Sequence, residues 1–310
     1  MLRPRLLILA ILTLLSAVPA LAAPLVVVTI KPIHSLVAGV MAGVAEPELL
    51  LKGAGSPHDY SLHPSDAKLL SRAQVVVRVG ADFETFLNKS LTSLAGAARI
   101  VSLDELPGLT LLAAREGGVW EEHVHGGEGH DAHAHEAGHR ETNLHLWLDP
   151  RNGRAIVAGL VKVLAELDPS HAERYRQNGA ALDRRLAELD TRLAKELQPL
   201  AGRPFVVFHD AYPYLEKRYN LRAVGSITVS PERAVGARRL AEIRAKIKST
   251  GAACVFSEPQ FEPKLAVMLS EGTGARTGVL DPEGSGLTAG PEAYFQLLEG
   301  LAGALRECLQ

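Results

Sequence analysis

The chain has 310 residues, 47% of them hydrophobic, 22% charged and 5% aromatic, with a formal net charge of −2. That balance argues against a nucleic-acid binder, which needs a basic face, and against a low-complexity disordered chain, because Leu, Val and Ala recur in periodic segments. What is left is a globular protein long enough for two modest domains.

The start of the chain stands apart. Arg3 and Arg5, the apolar run Leu6 to Leu15 and the small-residue end Ala20-Leu21-Ala22 read as a cleavable secretory signal over residues 1–22. Losing its two arginines takes the net charge to about −4. No later apolar stretch approaches the roughly 18 residues of a membrane span, and no cysteine lies near the signal to carry a lipid. An exported, soluble monomer that is not itself anchored to the membrane is expected.

Beyond the signal, short apolar runs alternate with helical periods. Strands are expected at Leu25–Ile30, Glu48–Leu51, Val75–Val79, Arg99–Ser102, Phe205–Phe208, Leu221–Val229, Ala253–Phe256 and Thr277–Leu280. Helices are expected at Ile33–Val44, Ser65–Ser71, Phe83–Leu94, Asn152–Leu167, Pro231–Thr250, Glu262–Gly272 and Pro291–Leu309. Short β-rich runs separated by longer helical patterns indicate βαβ units and parallel sheets. One helix is longer than the rest. From Asp168-Pro169 to Leu197 the pattern is unbroken, with leucines at 182, 186, 189, 193 and 197 on one face. Asp168 is the expected N-cap and Pro169 the first helical residue, giving a rod of about 43 Å. The fold class that follows is α/β, with two Rossmann-like lobes joined by one long rigid helix. The expected division is an N-terminal lobe at 23–168, the connecting helix at 169–197 and a C-terminal lobe at 198–310.

Gly117 to Thr142 has no such period. It carries His123, His125, His130, His133, His135 and His139 among Gly, Ala, Glu and Asp. Nothing there is apolar enough to pack, so a mobile surface loop is expected, binding metal weakly through its histidines. Cys254 and Cys308, 54 residues apart, have no CxxC neighbour. In an oxidising compartment they read as a disulfide, worth up to about 4 kcal/mol on the chain-entropy model.

The histidines outside the loop carry the functional signal. His209 directly follows the run Phe205–Phe208, and Asp281 directly follows Thr277–Leu280. Both therefore sit at the carboxyl ends of expected parallel strands, where ligands bind in open α/β sheets. His58 lies in a Gly/Ser/Pro turn after a strand, and His145 stands between Leu144 and Leu146 in an apolar stretch. Singly, each reads as an ordinary structural residue. His34, at a strand-to-helix turn, and His171, in the first turn of the long helix, have no partner in sequence.

Taken together the set resembles a known family. Gly53-Ala54-Gly55-Ser56-Pro57-His58-Asp59-Tyr60 with Pro64-Ser65-Asp66, Asn143-Leu144-His145-Leu146-Trp147-Leu148-Asp149-Pro150, Phe208-His209-Asp210-Ala211-Tyr212 with Tyr214-Leu215-Glu216-Lys217, and Val279-Leu280-Asp281-Pro282 are similar, in order and spacing, to the four metal-ligand motifs of the cluster A-I (cluster 9) binding proteins of ABC importers. The His-rich insert before the second motif resembles the zinc-uptake branch, as does the cysteine pair, which matches a disulfide found there. The resemblance implies a periplasmic protein that captures Zn²⁺ as cargo and delivers it to a membrane permease. It also implies ligands at His58 and His145 from the N-terminal lobe and at His209 and Asp281 from the C-terminal lobe. The manganese branch carries Glu at the third position, whereas His209 here makes the set softer and favours zinc. Some zinc members have a Glu before the first His; here that residue is Pro57, which cannot ligate. The fourth place falls to Asp281, with water as the alternative. Glu258 is a candidate to orient a ligand histidine.

Other functions compete with this one. A His₃ zinc with an open position also serves hydrolases and hydratases, and Glu258 would be the base. The chain has no GxSxG, and its one HExxH string, His135-Glu136-Ala137-Gly138-His139, falls in the aperiodic His-rich tract where no helix is expected to present both histidines on one face, so no catalytic residue is expected. A zinc-storage or adhesion role through the His tract alone would give several equivalent weak sites. A manganese-binding relative is the remaining alternative.

Overall fold

Val26, Val27 and Val28 are buried on both faces, as a strand sandwiched between helices must be. The computed structural model describes residues 23–53, 55–115, 120, 141–228 and 235–310. The expected signal at 1–22, the six histidines of the insert and the first turn expected for the helix at Pro231 lie outside the described residues.

The N-terminal lobe comprises β1 (Val26–Val28), α1 (Lys31–Met41), β2 (Glu48–Leu49), α2 (Pro64–Leu70), β3 (Val75–Arg78), α3 (Asn88–Leu94) and β4 (Arg99–Ser102). A two-residue pair follows, β5 (Leu112–Ala113) antiparallel to β6 (Thr142–Asn143), and then α4 (Pro150–Leu167) and α5 (Ala172–Leu197). The C-terminal lobe comprises β7 (Pro204–Val207), α6 (Pro213–Tyr219), β8 (Arg222–Ser226), α7 (Ala237–Thr250), β9 (Cys254–Ser257), α8 (Lys264–Ser270), β10 (Arg276–Val279) and α9 (Ala293–Leu309).

The two main sheets are four-stranded and parallel, in the orders β2-β1-β3-β4 and β10-β9-β7-β8. Counted from its own first strand, each sheet runs 2-1-3-4, the doubly wound order whose ligand crevice lies where the winding reverses. That point falls between β1 and β3 in one lobe and between β7 and β9 in the other. All eight expected strands are present, and α/β with two parallel-sheet lobes and one long helix is the architecture observed. The β5–β6 pair and α6 have no counterpart in the sequence reading.

The long helix starts later than its pattern suggests. Asp168 ends α4 instead of capping α5, and its carboxylate accepts hydrogen bonds from Ser170 Oγ, His171 Nδ1 at 2.8 Å and Tyr175 OH at 2.8 Å. Those contacts bend the chain between two antiparallel helices, so α5 begins at Ala172 and runs 26 residues, about 39 Å. Leu182, Leu186, Leu189, Leu193 and Leu197 are all buried on it, each contributing about 1.5–3 kcal/mol. The helix packs against α1 and α4 on one side and α9 on the other. One hydrophobic core consequently runs from β1 and α1 through α5 to β7 and α9, while a smaller cluster around Val206, Phe208, Ile243 and Val255 fills the outer side of the second sheet.

Cys254 on β9 and Cys308 on α9 form the expected disulfide, with Cα atoms 6.0 Å apart. Gly278 on β10 lets the bridge approach. A Cβ there would stand 2.6 Å from the Phe256 ring and 3.1 Å from Cys308 Sγ, closer than packed atoms tolerate.

Candidate metal centre

Each histidine of the centre reaches it by a different local device. His58 rides on a single 3-10 turn, Pro57–Asp59, capped by Ser56, whose Oγ accepts the His58 N–H at 3.2 Å. Proline at the first position fixes φ where the turn begins. His145 stands just before the 3-10 turn Leu146–Leu148. His209 lies two residues past the end of β7, where a strand of a doubly wound sheet points into its crevice. Among the described residues these three form the one group of metal-ligating side chains with donor atoms all within 4.8 Å of one another.

The ring hydrogen bonds fix which nitrogens face inward. Asn143 Oδ1 lies 3.1 Å from His145 Nδ1 and also accepts the His145 backbone N–H at 3.1 Å. An atom that accepts from a backbone N–H is the amide oxygen, so His145 Nδ1 is the donor and its Nε2 carries the lone pair. His209 Nδ1 lies 2.7 and 2.8 Å from the two oxygens of Glu258, which sets the same tautomer. The two Nε2 atoms then face each other at 3.1 Å. Two imidazole lone pairs at that distance repel unless a cation lies between them. In a tetrahedral zinc site with bonds of about 2.0–2.1 Å, neighbouring ligand nitrogens are about 3.3 Å apart. Burial holds His145 well below its ordinary pKa, and charge on His209 and His58 would act the same way, so the ring stays in the neutral, ligating form.

An aromatic wall closes one side. Phe83 stands 4.9 Å from the His58 ring, 5.5 Å from His145 and 5.4 Å from Trp147, centroid to centroid. Trp147 Nε1 donates to Pro282 O at 2.8 Å across the lobe boundary, and Tyr294 OH donates to Trp147 O at 2.6 Å. Phe83 restricts both rings and excludes water, and nothing in its own sequence context marks it.

Asp281 is not a member of the group. Its carboxylate accepts the backbone N–H groups of Glu283 at 3.1 Å, Gly284 at 2.9 Å and Ser285 at 2.7 Å, together with Ser285 Oγ at 2.8 Å and Gln260 Nε2 at 3.3 Å. An Asp before Pro and Gly folds its side chain onto the following amides, and here that turn occupies both oxygens. The loop it organises is used from the other lobe, where Lys31 Nζ donates to Gly284 O at 2.8 Å and Ser285 O at 2.7 Å. Glu258, the candidate to orient a histidine, stands behind the His209 ring with both oxygens against Nδ1. His34 turns away, with Nε2 2.9 Å from Pro47 O, and His171 precedes α5 against Asp168.

The chain resembles proteins of one kind throughout. The family model described as zinc-uptake complex component A, periplasmic (ZnuA), matches residues 26–308. The high-affinity zinc uptake system protein ZnuA of Brucella abortus (strain 2308) is 49% identical over 304 residues, covering 92% of this chain and 91% of its own length. A crystal structure of ZnuA superposes with a TM-score of 0.78 at 25% identity, over 93% of this chain and 100% of that one. A ZnuA deletion mutant with zinc bound gives 0.75 at 25% identity, over 93% and 98%.

Proposed function

Since the chain belongs to the periplasmic zinc-uptake component family, we propose that it captures Zn²⁺ in the periplasm through His58, His145 and His209 and delivers it to the permease of an ABC-type importer. The convergence of His145 and His209 Nε2 at 3.1 Å, each with its Nδ1 proton held from behind, carries this reading. Three neutral imidazoles with a borderline-soft donor set suit zinc over manganese. Because both Asp281 oxygens are engaged by backbone amides, water takes the fourth position. Zinc is cargo in this reading, bound without a resident catalytic role. The Glu258 carboxylate, which a hydrolytic reading would need as its base, is engaged with both oxygens behind His209. No helix among the described residues is long and apolar enough to cross a membrane. In this division 23–168 and 198–310 work as the two lobes, and the histidine-rich insert collects zinc for the site.

Calorimetric zinc titration of the protein beside a His58→Ala, His145→Ala, His209→Ala triple variant tests the assignment. One tight site is expected in the parent and none in the variant, with weak insert sites surviving. Deleting residues 121–140 is expected to leave the tight site in place. Tight binding that survives the triple substitution would move the metal to the insert and make storage the better reading.

A further inference from the structure

We propose that the β5–β6 stem at the root of the insert is a strap that sets the spacing of His145 and His209 across the lobe boundary, with Asn143 and Arg115 as its positioning residues. The inference rests on the reading of those imidazoles as zinc ligands. Asn143 joins them through one side chain. Its Oδ1 holds the backbone N–H and the Nδ1 of His145, while its Nδ2 donates at 2.6 Å to the carbonyl of Asp210, the residue after His209. A single planar amide therefore spans the two ligand segments. Rotating it breaks both ends together.

The stem that carries this amide is fastened to α6 of the other lobe. Tyr214 OH donates to Asn143 O at 2.6 Å and accepts the Leu112 N–H at 3.1 Å, so one hydroxyl grips both strands. Arg115, two residues past β5, adds the second fastening. Its Nε lies 3.0 Å from both Asp210 oxygens, its two terminal nitrogens reach Glu216 at 3.0 and 2.8 Å, and one of them also contacts Asp210. The Trp120 ring covers the guanidinium at 3.6 Å. Burial opposes the Arg115 charge, yet its hydrogen bonds to Asp210 and the charge of Glu216 outweigh it, and its pKa rises. A planar fork that binds two carboxylates at once cannot be replaced by a lysine point charge. Asp210 is thus held twice, through its carbonyl by Asn143 and through its carboxylate by Arg115, and with it the backbone that aims His209.

If the strap sets the ligand spacing, weakening it speeds zinc release without removing a ligand. The full chain is tested as Asn143→Leu, Asn143→Asp and Arg115→Gln, beside His145→Ala and His209→Ala. Zinc affinity is read by chelator competition, the off-rate by stopped flow, and the His145 tautomer in the metal-free protein by ¹⁵N chemical shifts. Asn143→Leu is expected to weaken zinc about 10- to 100-fold and to release His145 into a mixture of tautomers. Asn143→Asp keeps the acceptor for His145 and loses the donor to Asp210, so the tautomer is retained while the off-rate rises. Arg115→Gln raises the off-rate with the tautomer unchanged. Parental zinc kinetics in folded Asn143→Leu or Arg115→Gln overturn the strap, and if Asn143→Leu fails to fold, Asn143→Asp decides in its place. Loss of tight binding in His145→Ala and His209→Ala beside parental strap variants refutes the strap alone. Tight binding retained in those two alanine variants refutes the ligand assignment itself.

Discussion

The two sheets share one strand order, yet their crevices are furnished differently. Between β7 and β9 a buried glutamate, Glu258, meets the ring of His209, which stands just past the end of its own strand. Between β1 and β3 another buried glutamate, Glu84, meets Thr29 Oγ1 at 2.6 Å and the N–H groups of Val79 and Gly80 at 3.0 and 3.1 Å. The N-terminal lobe supplies its imidazoles from turns outside the sheet, His58 after β2 and His145 after the stem. A repeated fold offers the same crevice twice, and the residues at the strand ends furnish the two copies differently. The same glutamate chemistry serves orientation in one lobe and anchorage in the other.

This contrast can be tested from its strongest point to its weakest. His209→Ala removes the ligand aimed by a strand and is expected to abolish the tight zinc site in a calorimetric titration; a surviving tight site would remove the distinction between the crevices. The C-terminal sheet alone is stapled, and Cys254→Ser with Cys308→Ser is expected to cost about 2–5 kcal/mol in denaturant unfolding, while a smaller loss would mean that α9 holds itself in place. Burial pushes Glu84 up to about 7 despite its hydrogen bonds from Thr29, Val79 and Gly80. The unfolded chain releases that proton near the ordinary glutamate value of 4.5, so between 4.5 and about 7 the folded state binds more protons and stability falls as pH rises. The fall amounts to about 3 kcal/mol across the window at 1.36 kcal/mol per unit, and Glu84→Gln should flatten it in unfolding curves taken across that range.

Glu258→Gln keeps an acceptor behind His209 and loses the charge, and chelator competition should show zinc weakened about 10- to 100-fold. Its counterpart, Thr29→Val, should cost about 1 kcal/mol for one lost hydrogen bond and leave zinc affinity at the parental value. If Thr29→Val weakened zinc as much as Glu258→Gln, the two glutamates would not differ in role.

The sheets were legible because their strands are apolar runs bounded by turns, and buried parallel strands need little more. β5 and β6 were not, because two-residue strands carry no period; α6 was not, because Pro213–Tyr219 is short and lies inside a metal-motif segment. The three histidines that converge stood out only as a set, through motifs similar to a known family's, since each alone reads as a structural residue, and Glu258 was a candidate on the same resemblance. Asp281 shares that strand-end placement, yet its own side chain finds backbone amides within four residues, and a local turn of that kind competes with any distant partner. Arg115 and Asn143 depend on partners 67 to 101 residues away, a separation at which neither composition nor spacing gives a signal.

The final helix completes the first lobe. Tyr294 N donates to Ser35 Oγ, 259 residues earlier in the chain, and α9 lies along α1 and α5. A ribosome making this chain from its first residue therefore leaves α1 with an uncovered apolar face until the last helix has emerged. The N-terminal sheet can form early, but the helical layer around α1 is complete only when α9 arrives. A nascent chain halted before α9 would present that open flank to whatever chaperone travels with it.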